Sequence, residues 1–273
     1  MTEIGASTEN YAIAVPGRES DALVLSWGAA TDVGRRRDHN EDSFLAKPPI
    51  FAVADGMGGH SSGDVASAAV VARLAESVSG EFAEQDAIAE SLRRATIDIG
   101  EARDDQHLGV GTTVTGAALT LTHGKPSWEI FNVGDSRVYM FEHNELAQVT
   151  VDHSVVQELV DSGRIREEDA ESHPDSNVIT RAVGFNAEPM PDYWTLPLRV
   201  GLRLLLCSDG LTKEVNRERI RLHLAAGLSA KETALALVDA ALAAGGRDNV
   251  TVVVVDVVEH TDNAKKLPQK GGK

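Results

Sequence analysis

Four apolar runs of this chain stop or begin at an aspartate, and that pattern limits how the chain can fold. Residues 51–54 lead into Asp55-Gly56, and Phe131-Asn132-Val133-Gly134 leads into Asp135. Residues 202–207 lead through Ser208 into Asp209-Gly210, and Asp248-Asn249 opens onto residues 250–258, which are almost continuously β-branched. Runs of this length and make-up read as strands, the valine-rich last one as a central strand. In the third run Arg203 stands at the entry, where its long stem can carry the charge out to water. Residues 204–207 are then apolar without a break, which suits burial on both faces. Laid side by side, such strands bring carboxylates to one edge of a sheet, where they repel one another and resist burial. A divalent cation resolves the conflict, and all-oxygen ligation suits Mg²⁺ or Mn²⁺ better than zinc or copper. Asp-Gly is by itself an ordinary turn signal; four aspartates in one context are a different matter. Asp55 offers two oxygens, and Gly56 can turn its carbonyl to the same ion, glycine being free to adopt unusual dihedrals.

A second concentration of charge precedes the first of these runs. Arg35-Arg36-Arg37-Asp38-His39-Asn40-Glu41-Asp42 reads as a solvated loop by its charge, but guanidinium groups also grip phosphate oxygens in a bidentate fork. Phosphate-seeking and cation-seeking groups thus share one segment. Two ions bridged by Asp55 would lower the pKa of a shared water and polarise a phosphoryl oxygen, with Arg37 holding the phosphate for in-line attack. Composition is compatible: with 42 acidic against 26 basic residues and a net charge of −16, the surface argues against nucleic acid or anionic membrane as partners. The single cysteine, Cys207, excludes an internal disulfide and a cysteine-rich zinc site, and its buried strand makes it a core residue rather than a nucleophile. The N-terminus lacks a basic start followed by a long apolar run, and no stretch approaches the ~20 apolar residues of a membrane span. A cytoplasmic protein is expected, acting as a monomer.

Along the rest of the chain, residues 1–21 read as a flexible leader and 22–27 as a first strand. A helix over 63–79, capped by Ser61 or Ser62, and a second over 85–103 with Ile88, Leu92, Ala95 and Ile99 on one side read as a helical pair laid on a sheet. Residues 114–122, 128–133, 136–141 and 146–150 read as an antiparallel meander. Residues 152–187 are polar and helical, an insertion over the sheet. A helix over 216–226 follows, and Ser229-Ala230-Lys231-Glu232 offers a capping box for a last helix. The tail 259–273 reads as disordered. Neither an internal repeat nor a linker divides 22–258, so one domain is expected there.

Taken in order, the motifs resemble the type 2C, metal-dependent (PPM) protein serine/threonine phosphatases in their bacterial form. The resemblance rests on Gly34-x-x-Arg37-x-x-Asn40-Glu41-Asp42, Val53-Ala54-Asp55-Gly56-Met57-Gly58-Gly59, Gly111-Thr112-Thr113, Val133-Gly134-Asp135-Ser136-Arg137, Asp152-His153-Ser154, Cys207-Ser208-Asp209-Gly210-Leu211 and Gly246-Arg247-Asp248-Asn249-Val250-Thr251. It implies an α+β fold, a four-layer α/β/β/α sandwich of two antiparallel sheets flanked by antiparallel helix pairs, with the metal site at one edge of the sandwich and residues 152–187 as a flap. Two Mn²⁺ or Mg²⁺ ions would be bridged by Asp55, one also bound by the Gly56 carbonyl, the other completed by Asp209 and Asp248. Asp135 would serve a third, weaker ion, Glu41 and Asp42 would act close by through bound waters, and Arg37 would bind substrate phosphate. Its substrates would be phosphorylated proteins, such as Ser/Thr kinases and their targets.

One departure matters. Eukaryotic members carry histidine after the Asp-Gly pair, placed to protonate the leaving group, whereas this chain has Met57. A thioether donates no proton at neutral pH, so the general acid is unassigned, with His39, His60 and His153 as alternatives to a metal-bound water. Each histidine reads first as a capping or structural residue. Two other functions stay open: a phosphatase dedicated to one regulatory partner of the anti-sigma-factor-antagonist type, and a non-catalytic phosphoprotein-binding regulator on the same scaffold.

Overall fold

The unbroken apolar runs have two faces, and both are covered. Phe44, Phe51, Val53, Ala117, Leu119, Trp128 and Ile130 point into a core that they share with Leu204, Leu206, Val253, Val255 and Val257. Their alternate neighbours Leu45, Ala52, Ala54, Val114, Ala118 and Val133 pack against helices on one side. Leu205, Cys207, Val250, Val252 and Val254 do the same on the other side. The period-two reversal of side chains along a strand therefore converts a sheet with no polar face into the middle of a layered stack.

The computed structural model describes residues 1–17, 22–58, 62–77, 80–102, 109–170 and 172–261. In chain order the strands are β1 (Glu3–Gly5), β2 (Thr8–Ala14), β3 (Ala22–Asp32), β4 (Asp42–Lys47) and β5 (Ile50–Met57). The helices α1 (Gly63–Glu76) and α2 (Gln85–Ala102) follow, then β6 (Gly111–Thr112), β7 (Val114–Thr122), β8 (Lys125–Val133), β9 (Arg137–Glu142) and β10 (Glu145–Gln148). After α3 (Val155–Asp161) and α4 (Glu167–Ala170) come β11 (Asp192–Pro197) and β12 (Arg203–Cys207). The chain closes with α5 (Asp209–Thr212), α6 (Arg217–Leu224), α7 (Ala230–Ala244) and β13 (Val250–Thr261). One sheet runs β1-β4-β5-β7-β8-β11 with β6 paired to β5, and the other β10-β9-β12-β13-β3-β2. The α1/α2 pair covers the first and α6/α7 the second, which is the expected α/β/β/α sandwich. Aromatic rings tie its middle together: Trp27 of one sheet meets Phe51 of the other edge-on at 5.5 Å, and Phe51 meets Trp128 at 6.1 Å.

Three expectations change. Of the expected leader, 18–21 lie outside the described residues and the rest is structured: β1 pairs with β4, in parallel, and β2 with β3, so the N-terminal segment joins an edge of each sheet. The link between them is hydrogen-bonded as it crosses, Trp27 Nε1 donating to the Ala6 carbonyl and the Ala29 amide to Ser7 Oγ. Ile13 and Val15 alone among the described side chains of 1–17 are buried in the core, so the segment shows little hydrophobic period and is held mostly by backbone pairing. At the other end β13 continues past a bulge through Glu259, His260 and Thr261, pairing with the start of β3; the remainder of the expected tail, 262–273, lies outside the described residues. The α1 cap differs too. Ser62 stands at the N-cap without a side-chain hydrogen bond, and Ser61 is outside the described residues. The Glu41 carboxylate accepts from the Gly63 amide instead, setting negative charge at the positive end of the helix. The capping box of Ser229 and Glu232 is present as read, and Asn216 caps α6.

Candidate active site

One end of the sandwich gathers the strand-end carboxylates. Asp55 stands late in β5, directly across from Asp42 in β4. Asp135 follows β8, Asp209 opens α5 just beyond β12, and Asp248 precedes β13. Arg37, Glu41, Asp55, Asp135, Asp209 and Asp248 all line one cleft of about 950 Å³. The backbone around them is held tightly. Thr113 Oγ1 accepts from the Asp55 amide, while the Thr113 amide and Thr112 Oγ1 both donate to the Asp55 carbonyl. Asn249 binds the Arg37–Asp42 loop to β13: its Oδ1 accepts from the Glu41 amide and its Nδ2 donates to the carbonyls of Val33 and His39. Ser208 Oγ donates to Asp42 Oδ2 and accepts from the Thr251 amide. The turn before Asp135 needs glycine, since Gly134 has φ +107 and a Cβ there would sit 2.6 Å from Thr113 Cβ.

Gly56 behaves differently from its sequence reading. It is not a turn with an unusual dihedral but part of β5, paired with Thr112 and donating to the Glu41 carbonyl. Glycine is needed there for space, because a Cβ would lie 2.0 Å from the Gly63 carbonyl oxygen and 2.7 Å from that of Glu41. Strand and helix N-terminus meet backbone to backbone at this point.

The carboxylates burden one another. Asp55 is pushed well above the ordinary value, first by loss of water and then by Asp42, Asp209, Asp135 and Asp248. Asp42, with no exposed surface, is raised to about 7 by burial, against the hydrogen bonds from Thr251 and Ser208. Asp135 is likewise raised to about 7 by burial and by Asp209, with Lys213 opposing. Glu41 is raised by burial, with the Gly63 amide pulling the other way. Two buried oxygens, Asp42 Oδ1 and Asp209 Oδ1, have no hydrogen-bond partner. Unsatisfied, crowded carboxylate oxygens are the donor set that a hard divalent cation completes, so the residues fit one. Among the described residues no three His, Cys, Asp or Glu side chains converge closely enough to hold an ion as they stand. Two of the carboxylates are instead paired with cations, Asp248 with Arg37 at 2.9 Å and Asp209 with Lys213.

These shifts set a pH dependence for the metal-free protein. Asp42 and Asp135 hold a proton more tightly folded than their ordinary 3.8, so between about pH 4 and 7 the folded state binds more protons than the unfolded one. Raising pH through that window therefore costs stability. In EDTA the melting temperature is expected to fall from pH 5 to pH 8 more steeply in wild type than in Asp135→Asn; equal slopes would remove Asp135 as a cause.

Comparison with known proteins agrees with this layout. The sequence profile of the family described as Protein phosphatase 2C matches residues 34–244. The serine/threonine protein phosphatase PstP of Mycobacterium tuberculosis is 42% identical over 252 residues, 87% of this chain and 46% of the relative. The serine/threonine phosphatase Stp of Listeria welshimeri is 38% identical over 254 residues, 88% of this chain and 96% of the relative. The chain belongs to the protein phosphatase 2C family. It spans about half the length of the mycobacterial PstP and nearly all of the listerial protein. The crystal structure of the PstP phosphatase superposes with a TM-score of 0.79 at 37% identity, covering 87% of this chain and 100% of that one. A second structure, the PstP catalytic domain in complex with two manganese ions, gives a TM-score of 0.76 at 37% identity over 87% of this chain and 100% of that one.

In this member of the phosphatase 2C family the candidate proton donors separate cleanly. Met57 lines the cleft. His153 is buried and employed elsewhere: Nδ1 accepts from the Gly134 amide and Nε2 lies 3.0 Å from Asp192 Oδ2, so the ring is neutral with its proton on Nε2. Burial lowers its pKa further. His39 is exposed, and neither it nor His153 is among the cleft-lining side chains; His60 lies outside the described residues. What sequence reasoning missed is the cationic rim. Lys213 and Arg247 line the same cleft, and only the helical turn beginning at Asp209 brings Lys213 back to that aspartate. Thr113, Ser208 and Asn249 lay within the quoted motifs, but their hydrogen bonds become visible only once the strands are side by side.

Proposed function

We propose that this chain is a metal-dependent phosphatase for phosphoserine and phosphothreonine in proteins. The observation that carries it is the crowd of desolvated carboxylates, with unsatisfied oxygens, sharing a cleft with an arginine. Asp55 would lie between two Mn²⁺ or Mg²⁺ ions, with the Gly56 carbonyl on one and Asp209 and Asp248 on the other; Asp135 would serve a weaker third. The two manganese ions in the related PstP structure support a two-metal centre. Such ions supply Lewis acidity, making water nucleophilic near neutral pH and polarising the phosphoryl group. Glu41 and Asp42 stand beside the centre as hydrogen-bond acceptors for water. Arg37, half exposed at the rim, exchanges Asp248 for two phosphate oxygens. The catalytic domain takes in β1 and β2 together with residues 22–261, and 152–187 form a flap that offers Ser154, Val156 and Asn177 to the cleft. The substrates are phosphorylated cytoplasmic proteins that Ser/Thr kinases produce, and the enzyme works as a monomer.

A phosphothreonine peptide incubated with purified protein should release phosphate with Mn²⁺ and not with excess EDTA. No release under either condition would leave only a phosphoprotein-binding role. In the same assay Arg37→Ala should raise KM about tenfold with a smaller change in kcat, as expected for loss of a charge-assisted contact to bound phosphate. An unchanged KM removes Arg37 from phosphate binding.

A further inference from the structure

Lys213 has no part in the chemistry proposed above, yet it sits within it. It follows the single turn of α5, whose first residue is Asp209, and the helical spacing of four returns its ammonium to Asp209 Oδ2. The other oxygen, Oδ1, is buried and without a partner. The neighbouring acid is already taken, because Glu214 accepts from the amide and the guanidinium of Arg247. Asp209 is thus the carboxylate left to Lys213. The pair is also better shielded than the Arg37–Asp248 pair of the same cleft. Side-chain exposure is 35% for Lys213 and 14% for Asp209, against 52% for Arg37 and 26% for Asp248.

We propose that Lys213 is a tethered counter-charge that sets the affinity of the cleft for divalent cations. The proposal rests on the metal-dependent reading above and goes further, to the concentration at which the site fills. Without a metal ion the ammonium neutralises Asp209, one of several carboxylates that would otherwise repel each other. A divalent ion arriving at the free Oδ1 meets a positive charge held on the opposite oxygen of the same carboxylate. At that separation, in a site partly shut off from water, like charges repel enough to weaken binding markedly. Lys213 therefore favours the metal-free cleft and opposes the loaded one.

The test is calorimetric titration of Mn²⁺ into metal-stripped wild type, Lys213→Met, Lys213→Arg and Asp209→Asn, each checked for native circular dichroism. Lys213→Met is expected to bind Mn²⁺ about tenfold more tightly or better, as loss of a nearby like charge implies, while Lys213→Arg stays close to wild type. In EDTA, Lys213→Met should also melt below wild type, since Asp209 loses its partner. Unchanged or weaker Mn²⁺ binding by Lys213→Met overturns the counter-charge. So does Lys213→Arg tightening as much as Lys213→Met, which would point to side-chain bulk. If wild type binds Mn²⁺ and Asp209→Asn weakens it while Lys213→Met changes nothing, this proposal falls and the metal-dependent reading stands. If wild type takes up no Mn²⁺, both fall.

Discussion

Asp55→Asn is expected to lower Mn²⁺-dependent hydrolysis of p-nitrophenyl phosphate by about a thousandfold or more, the scale on which a preorganised charge at the reacting centre acts. No other carboxylate of the cleft can take its place. Asp55 is fixed through its own amide and carbonyl by Thr112 and Thr113, and it faces Asp42 across the β4–β5 ladder. An amide keeps the shape and most of the hydrogen bonding but loses the charge that would hold two cations. The same substitution should have the opposite effect on the metal-free fold. Asp55 is held far from its ordinary ionisation by burial and by four neighbouring carboxylates, so removing its charge relieves repulsion. In EDTA the variant is expected to melt at or above the wild-type temperature. Loss of activity accompanied by a lower melting point would mean that the fold, not the chemistry, had failed. Wild-type turnover in Asp55→Asn would sink the proposed site.

The largest effect on stability is expected from Gly56→Ala. A methyl group at Gly56 would stand 2.0 Å from the Gly63 oxygen, 2.4 Å from its carbon and 2.7 Å from the Glu41 oxygen. All three are backbone atoms, so no side chain can rotate away to make room. β5 would have to part from the first turn of α1 and from the Arg37–Asp42 loop at once. Because strand, helix start and loop all frame the cleft, the variant should lose both stability and Mn²⁺ affinity. The cost is about 3 kcal/mol or more, at the upper end of overpacking effects, readable as a lower urea midpoint in EDTA. A midpoint within error of wild type would show that β5 and α1 can move apart freely here.

The two substitutions differ in how legible they were. Asp55 announces itself, because a carboxylate ending an apolar run has few structural reasons to be there, and repetition of that context at Asp135, Asp209 and Asp248 made a cluster the natural reading. Gly56 is needed on a ground that its Asp-Gly dipeptide does not reveal. It lies in β5 and is not among the positive-φ glycines, and the need for glycine comes from Gly63 and Glu41, which approach it only after α1 docks. The helices were well marked by period and caps, as Ile88, Leu92, Ala95 and Ile99 on α2 and the Ser229–Glu232 box on α7 show. β1 and β2 were not, because their pairing is made of backbone hydrogen bonds that leave little trace in side-chain pattern.

What the sequence by itself determined is the list of strands with two apolar faces, the helices that cover them, and the acids at their ends. Those properties are local, set by hydrophobic period and by the cost of an isolated charge. Only the tertiary structure decided which acids meet, that Asp42 stands opposite Asp55, and that Arg37 reaches Asp248. Electrostatic energy depends on distances between residues as much as 211 positions apart, and no local pattern encodes those distances.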